Sequence, residues 1–158
     1  MTSSLQIGDV TIPGRVLMAP MTGVTDLPFR QVASRLGAAY VATEMVASAE
    51  LARGRPDVVR RAAVGEGLPL TVIQLVGRDP AAMAEGARIA EAAGADIINT
   101  GIGWHEARVP TIATKVPRAA FTKVTAKLRG EVNVPLITTN RINTPEVAEQ
   151  VLAEGDAD

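Results

Sequence analysis

Two kinds of segment alternate along this chain, and the alternation restricts its fold more than any other feature. Short apolar runs rich in valine and isoleucine are each followed by a stretch whose apolar residues recur with helical periodicity. Repeated strand and helix units predict a parallel sheet joined by right-handed crossovers. The runs that we predict as strands are residues 15–21, 38–45, 69–77, 95–103 and 134–140.

Residues typical of helix ends lie between these runs. Asp79 and Pro80 have the residue types of an N-cap and a first helical turn, and Gly94 ends the same helix. Thr25 or Asp26 is the predicted N-cap of an earlier helix. The predicted helices cover residues 26–37, 49–64, 78–94, 117–128 and 144–155.

The units fit two α/β architectures. One is an open flavodoxin-like sheet, and the other is an incomplete (β/α)8 barrel of the TIM-barrel type, whose complete form needs about 250 residues. We predict a single domain over residues 1–158, with about five (βα) units and a hairpin at residues 5–14 that closes the barrel bottom. Similar helix endings at Gly37, Gly94 and Gly155 predict that a strand belongs after Asp158, so that the final strand or strands are missing.

Composition excludes several classes of function. Lys and Arg total 16 against 17 Asp and Glu, so the bulk charge does not call for nucleic acid or an anionic membrane. The chain has no cysteine, which excludes disulfides, thiolate zinc sites and a thiol nucleophile. No apolar run reaches the roughly 18–20 residues of a membrane span, and no secretory leader is evident. We therefore expect a cytoplasmic protein that does not contact a membrane.

Both architectures place ligands at the carboxyl ends of the strands. The candidates chosen by this position are Pro20, Met21, Thr22, Glu44, Met45, Gln74, Gly77, Asn99, Gly101, Trp104, His105, Thr139, Asn140 and Arg141. They include no defensible Ser-His-Asp arrangement and few paired carboxylates. Glycine backbone, an amide, an imidazole and a late arginine suit a flat polar ring with a phosphate tail, which describes a flavin.

Each candidate also has a structural interpretation. Gln74 could satisfy its amide inside a buried strand, although an amide without a partner is costly there. Arg141 could be a solvated loop residue, His105 a loop histidine and Trp104 a packing residue. The glycines at 101 and 103 lack the G-x-G-x-x-G spacing and do not follow the first strand, so they do not predict a Rossmann dinucleotide site.

The amino-terminal part resembles a known family. The segments "VLMAPMTGVTDLPFR", "EMV" and "TVIQLVGRDPAAMAEGARIAEAAGADII" are similar to the bacterial tRNA-dihydrouridine synthases, FMN-dependent TIM barrels that reduce uridine in tRNA with NADPH. The resemblance covers about residues 5–98. It implies that Pro20, Met21 and Thr22 approach the flavin and that Gln74 contacts it. The family's proton-donating cysteine is replaced here by Trp104.

The carboxy-terminal part resembles a second family. The segments "INTGIGWHEARVPTIAT" and "PLITTNRIN" are similar to the 2,4-dienoyl-CoA reductases related to old yellow enzyme, over about residues 95–158. The resemblance implies that His105 helps to protonate the substrate and that Arg141, beside Asn140, faces the flavin phosphate. That family's tyrosine segment and cluster cysteines have no counterpart in this chain.

Both resemblances imply FMN, and they differ in substrate. We place the junction between them near residues 95–99 and interpret the chain as a recombinant, designed or misassembled product of two homologous barrels. A natural short flavin-binding protein is the alternative. The expected activity is reduction of tRNA uridine with NADPH, with His105 or water as the proton donor. The alternatives are an enone reductase acting on an enoyl-CoA-like substrate and a non-catalytic α/β domain.

Overall fold

The computed structural model describes residues 4–102 and 108–158. A short antiparallel hairpin opens this part of the chain, formed by β1 (Leu5–Ile7) and β2 (Val10–Ile12). The main sheet contains β3 (Val46–Ala47), β4 (Val72–Val76), β5 (Ile97–Gly101) and β6 (Leu136–Ile137). These four strands are parallel and lie in sequence order. The fold is therefore α/β with a parallel sheet, as predicted.

Two isolated bridges decide between the candidate architectures. Met18 pairs in parallel with Val41, and Ala42 pairs in parallel with Val72. The first extended segment, which contains Met18, therefore lies at the edge of the sheet, beyond the second extended segment, which contains Val41 and Ala42. A flavodoxin-like sheet would place it between the second and third strands instead. Five neighbouring parallel segments in sequence order are the arrangement of a barrel wall.

The wall curls toward closure. Leu17 belongs to the first extended segment and Ile137 belongs to β6, so they come from opposite edges of the sheet. Both nevertheless line one apolar groove of about 280 Å³, together with Val151. Because a flat sheet would keep these residues apart, the groove shows that the two edges approach each other.

The helices follow the predicted order with different lengths. They are α1 (Leu27–Arg35), α2 (Ser48–Ala52), α3 (Pro56–Arg61), α4 (Pro80–Ala92), α5 (Thr122–Ala126) and α6 (Pro145–Ala153). The carboxylate of Asp26 accepts a hydrogen bond from Phe29 N, and that of Asp79 accepts from Ala81 N and Ala82 N. Asp26, not Thr25, is thus the cap of α1.

Three predicted elements differ from the structure. The helical region expected over residues 49–64 is divided into two helices, because Gly54 has a φ of 69° and Pro56 starts a new first turn. The strand expected over residues 15–21 is reduced to the bridge at Met18, since it has a neighbour on one side and Pro20 carries no N–H. The helix expected over residues 117–128 is limited to α5.

Two apolar clusters cover the two faces of the sheet. The helix-side cluster joins the outward residues of the strands, such as Ile73, Leu75 and Ile98, to the helices. The hairpin-side cluster contains Ile7 and Ile12 together with inward residues of the sheet. Ile12 is fully buried there. The hairpin therefore plugs the amino end of the curled sheet, as predicted.

The similar helix endings have a structural basis. Asp96 donates its N–H to Thr71 O at 2.9 Å, and its carboxylate accepts from Thr71 N at 2.7 Å. Asp158 makes the same pair of bonds with Leu136, at 2.9 and 3.0 Å. In each case the aspartate holds the start of the neighbouring strand at the amino end of the sheet.

Candidate functional site

Two amide side chains face the inside of the curled sheet. Gln74 and Asn99 are register partners on β4 and β5. Side chains alternate along a strand, so Gln74 shares a face with Val72, and Asn99 shares a face with Ile97. Val72 and Ile97 belong to the hairpin-side cluster, which fixes this face as the inward one. The two amides therefore lie side by side above that cluster.

Asn99 is buried and incompletely paired. Its residue is 8% exposed, and its Oδ1 has no hydrogen-bond partner in the part of the chain that the structure describes. The hydroxyl of Tyr40, which is also buried, interacts with the Asn99 side chain. Burial raises the pKa of Tyr40, and hydrogen bonding with Asn99 lowers it by a smaller amount. A buried acceptor without a partner is costly, so this position calls for an explanation.

Two glycines near these amides allow close packing of their neighbours. A Cβ on Gly101 would lie 2.8 Å from Val76 Cγ1 and 3.6 Å from Gln74 Nε2. The Val76 side chain therefore packs closely against Gly101, with the Gln74 amide nearby, and a larger residue at position 101 would force Val76 to move. A Cβ on Gly77 would lie 2.5 Å from Ser48 Oγ, so this glycine allows α2 to pack closely behind the strand end.

A buried glutamate holds the loop after the first extended segment. Glu44 Oε2 accepts a hydrogen bond from Gly23 N at 3.0 Å, and Glu44 is 9% exposed. Within the loop, Thr25 Oγ1 lies 3.2 Å from both the N and the O of Met21. Pro20, Met21 and Thr22 are thus positioned at the carboxyl edge of the sheet, with Met21 40% exposed. Sequence reasoning proposed Glu44 only as a strand-end residue and missed this contact.

The predicted phosphate-facing residues form a constrained turn after β6. Asn140 and Arg141 have positive φ values of 72° and 60°. Asn140 Nδ2 donates to Ile102 O, which ties this turn to the end of β5. Arg141 Nε donates to Val116 O at 3.1 Å, and its carbonyl accepts from Ala119 N at 3.0 Å. No carboxylate among the described residues pairs with Arg141, so its charge stays available to an anion.

A threonine network supports the same strand ends from the helix side. Thr100 Oγ1 lies 2.7 Å from Thr125 Oγ1, and Thr125 Oγ1 donates to Thr138 Oγ1 at 2.9 Å. Thr139 Oγ1 donates to Thr100 O at 2.7 Å. Sequence reasoning missed this network. The available signal was the presence of threonines within otherwise apolar runs. That signal does not tell which threonines bond to one another in the folded chain.

The structure brings together part of the predicted site. Gln74, Asn99 and Gly101 share one face, and Asn140 reaches the strand that carries two of them. Pro20, Met21 and Thr22 lie on the far side of the second extended segment and are tied to it through Glu44. His105 and Trp104 lie outside the described residues.

These residues fit a flavin ring with a phosphate tail. Gln74 presents an amide on the inward face, and Asn99 keeps an acceptor oxygen that has no partner among the described residues. Arg141 supplies a cation at the same edge of the sheet. Among residues 4–102 and 108–158, no group of three or more His, Cys, Asp or Glu side chains could hold a metal ion. In the same ranges, no helix is both long enough and apolar enough to cross a bilayer.

Two family models match the chain. The model of dihydrouridine synthase (Dus) matches residues 17–104, and that of the NADH:flavin oxidoreductase / NADH oxidase family matches residues 61–158. The chain belongs to both families. Their matches overlap over residues 61–104, a range that includes the predicted junction, and together they imply a flavin cofactor.

Curated relatives of this dihydrouridine synthase family member carry the synthase name. A probable tRNA-dihydrouridine synthase of Rhodobacter capsulatus is 43% identical over 63% of this chain and 31% of the relative. Another, from Rhizobium leguminosarum, is 35% identical over 92% of this chain and 49% of the relative. The chain thus spans about a third to a half of the length of these relatives.

A solved structure is similar to the fold as well. It is a 2-naphthoyl-CoA reductase in complex with 2-naphthoyl-CoA, and it matches with a TM-score of 0.54 and 26% sequence identity. The match covers 67% of this chain and 18% of the reductase. The similarity supports the partial barrel derived from the strand order.

Proposed function

We propose that this chain is an FMN-dependent oxidoreductase of the dihydrouridine synthase type, which reduces uridine in tRNA to dihydrouridine with NADPH. The single observation that carries the proposal is the pair of inward amides, Gln74 and Asn99, at the edge where the family resemblance expects a flavin. The synthase-named relatives support the substrate. A tRNA substrate would place the reaction in the cytoplasm.

Each site residue has a proposed role. The Gln74 amide would bind the polar edge of the flavin ring, and the backbone of Pro20, Met21 and Thr22 would approach it from the neighbouring loop. When bound, FMN supplies the hydride chemistry of the reaction. The Glu44 contact with Gly23 would keep that loop in place.

The turn after β6 would serve the phosphate. Arg141 offers a guanidinium that has no carboxylate partner among the described residues, and the bond from Asn140 to Ile102 O fixes the turn against β5. Arginine donors are well suited to phosphate oxygens. His105 is proposed to hold the proton that reduction of the uridine C5–C6 double bond requires, in the place of the thiol that this chain lacks.

A second candidate is an NADPH-dependent enone reductase that acts on an enoyl-CoA-like substrate. The match to the NADH:flavin oxidoreductase / NADH oxidase family and the similarity to a 2-naphthoyl-CoA reductase support it. Here too, His105 would be part of the acid and Arg141 would face the phosphate. A third candidate is a non-catalytic α/β domain without a competent site, which the open groove between Leu17 and Ile137 supports.

The visible absorption spectrum of purified protein, before and after FMN titration, tests the flavin site shared by the first two candidates. We expect the yellow spectrum of bound flavin and a higher thermal midpoint in excess FMN, because a ligand that binds only the folded state stabilises it. Colourless protein with an unchanged thermal midpoint would reject the first two candidates, and the non-catalytic domain would remain. NADPH oxidation that requires unmodified tRNA, and not an enoyl-CoA, then separates the first candidate from the second.

The role of His105 has its own test. General acid catalysis contributes about 10²–10⁴-fold, so His105→Ala should lower the rate of reduction by about that factor while FMN stays bound. His105→Gln provides a control of similar size that cannot protonate the substrate. An unchanged rate in both variants would remove His105 from the mechanism and leave water as the donor.

A further inference from the structure

We propose that a basic surface between β5 and α5 binds the phosphate backbone of an RNA substrate. The surface, called the basic rim below, consists of the exposed cations Arg108, Lys115, Arg118 and Lys123. The inference rests on the proposed function and deepens it, because it assigns the surface that would hold the tRNA. The match to the synthase family model ends at residue 104, so that match gives these four residues no role.

The charge of this part of the chain has a single sign. Residues 107–130 contain no aspartate or glutamate, although the whole chain is nearly neutral, with 16 Lys and Arg against 17 Asp and Glu. On α4, by contrast, Arg88 pairs with both Glu85 and Glu131. A local excess of one charge in a neutral chain indicates a partner of the opposite charge. The cations of this segment are Arg108, Lys115, Arg118, Lys123, Lys127 and Arg129.

Hydrogen bonds to Arg141 hold the centre of the basic rim at the carboxyl edge of the sheet. Val116 O accepts from Arg141 Nε at 3.1 Å, and Ala119 N donates to Arg141 O at 3.0 Å. Lys115 and Arg118 are the chain neighbours of these two contacts. Since Arg141 follows β6, both cations lie at the edge where the candidate site is, and like charges held in one region repel each other.

No carboxylate neutralises the basic rim. Its four residues form no ion pair within the ranges 4–102 and 108–158. The pKa of Glu146 is lowered mainly by its own backbone N–H and by the Thr144 hydroxyl, and Arg118 adds a smaller effect without pairing. Other acidic side chains at this edge accept hydrogen bonds from backbone N–H groups, as do Asp26, Glu44 and Asp79.

A nucleic acid backbone suits this arrangement better than a single anion does. The four cations are exposed and spread over residues 108–123, so they match a row of phosphates and do not enclose one group. Exposed lysine and arginine side chains supply most protein contacts to phosphate oxygens. A uridine that enters the site at the carboxyl edge carries its flanking phosphates across the same edge. The basic rim is where those phosphates arrive.

Fluorescence anisotropy with an unmodified tRNA transcript tests the proposal on the 158-residue chain. The logarithm of the binding constant should fall linearly with the logarithm of the salt concentration, because each phosphate contact releases counterions. Lys115→Gln and Arg118→Gln should each weaken binding about three- to tenfold at low salt and lower the salt slope by about one. Lys115→Arg keeps the charge and should keep the affinity.

Arg35→Gln is the matched control. Arg35 is an exposed arginine in the last turn of α1, where the chain enters the amino end of the sheet. The variant changes the net charge by the same amount as Arg118→Gln, but at the opposite end of the molecule. Its tRNA affinity should stay within about twofold of the wild-type value. Equal losses in the two variants would overturn the proposal, since overall charge would then explain the binding.

Kinetic measurements separate the basic rim from the flavin site. The KM for tRNA should rise in Lys115→Gln and Arg118→Gln with kcat nearly the same, because the lost contacts hold substrate and transition state equally. NADPH oxidation that depends on tRNA, with an unchanged KM in both variants, would overturn the basic rim and leave the proposed function standing. Colourless protein whose tRNA binding still depends on Lys115 and Arg118 would support the basic rim and reject the proposed function.

Coenzyme A and an anionic membrane are the rival partners. Coenzyme A also carries phosphates, and Val109 and Ile112 on the same loop are 54% and 71% exposed, as a membrane contact requires. Wild-type protein that binds no tRNA would overturn the proposal. So would displacement of bound tRNA by coenzyme A, or binding to phosphatidylglycerol vesicles with a loss in Lys115→Gln and Arg118→Gln that tRNA binding does not show.

Discussion

The two ends of the curled sheet are built on opposite principles. At the amino end, the hairpin brings Ile7 and Ile12 against the strands, and Asp96 and Asp158 satisfy the backbone there. At the carboxyl end, Asn99 leaves a buried acceptor unpaired, and Asn140 and Arg141 take positive φ values. The difference separates stability from ligand binding. The amino end buries its apolar residues and pairs its backbone groups, whereas the carboxyl end keeps an unpaired acceptor and strained backbone whose free-energy cost a bound ligand can offset.

The largest expected effect is at the amino end. Ile12 is fully buried in the plug, so Ile12→Ala should lower the free energy of unfolding by about 2–5 kcal/mol through lost burial and a residual cavity. Urea denaturation measures this loss. The affinity for FMN, corrected for the fraction of folded protein, should stay within about twofold of the wild-type value. A large fall in affinity would contradict the division between the two ends.

The clamp at the start of β4 should have the next largest effect. Asp96→Ala removes the carboxylate that accepts from Thr71 N at 2.7 Å, and hydrogen bonds to charged groups are worth about 1.5–3 kcal/mol. Thermal and urea unfolding should both report the loss. Asp96→Asn keeps an acceptor and serves as the matched control, with a smaller loss. Equal losses in the two variants would mean that the carboxylate charge contributes nothing.

At the carboxyl end, the effect should move from stability to binding. Glu44→Ala frees Gly23 N, so we expect a loss of about 1 kcal/mol in unfolding free energy and a measurable weakening of FMN binding, as the loop carrying Met21 loosens. Glu44→Gln keeps an acceptor oxygen and should restore most of the affinity. An alanine variant with unaltered FMN binding would show that the loop does not contact the cofactor.

The smallest stability change should come from Asn99. Asn99→Leu removes an unpaired buried acceptor, which favours the variant, and it also removes the interaction with the buried Tyr40 hydroxyl, which disfavours it, so the two effects oppose each other. The thermal midpoint without flavin should therefore change by only a few degrees in either direction. A strong destabilisation would assign Asn99 to the core and would remove the contrast between the two ends.

The chain sequence predicted much of this fold because its signals are local. The Asp79 and Pro80 pair placed the start of α4 correctly, and the apolar run over residues 69–77 contains β4. The strand expected over residues 15–21 failed because its pairing depends on a neighbour and not on its own residues. Arg30 shows the same limit, since a charged residue in a helix would be assigned to solvent, yet its guanidinium is buried and donates to Ala63 O.

The site was predictable as a position but not as a set of contacts. Glu44, Gln74, Asn99 and Arg141 were all identified as strand-end residues, because parallel strands bring their carboxyl ends to one edge. The bond between Glu44 and Gly23 could not be predicted, since it joins residues that are far apart in sequence through the curl of the wall. The roles of the predicted site residues stay predictions until the titrations are made.

The sequence by itself determined the alternation of strands and helices, the caps of the long helices and the class of residue at each strand end, since these follow from local periodicity and side-chain chemistry. The tertiary structure alone decided the strand order, the curl that brings Leu17 toward Ile137, and the burial that leaves Asn99 without a partner. Those features depend on which segments become neighbours. The free energy of burying or pairing a group is set by its neighbours, and local sequence does not contain them.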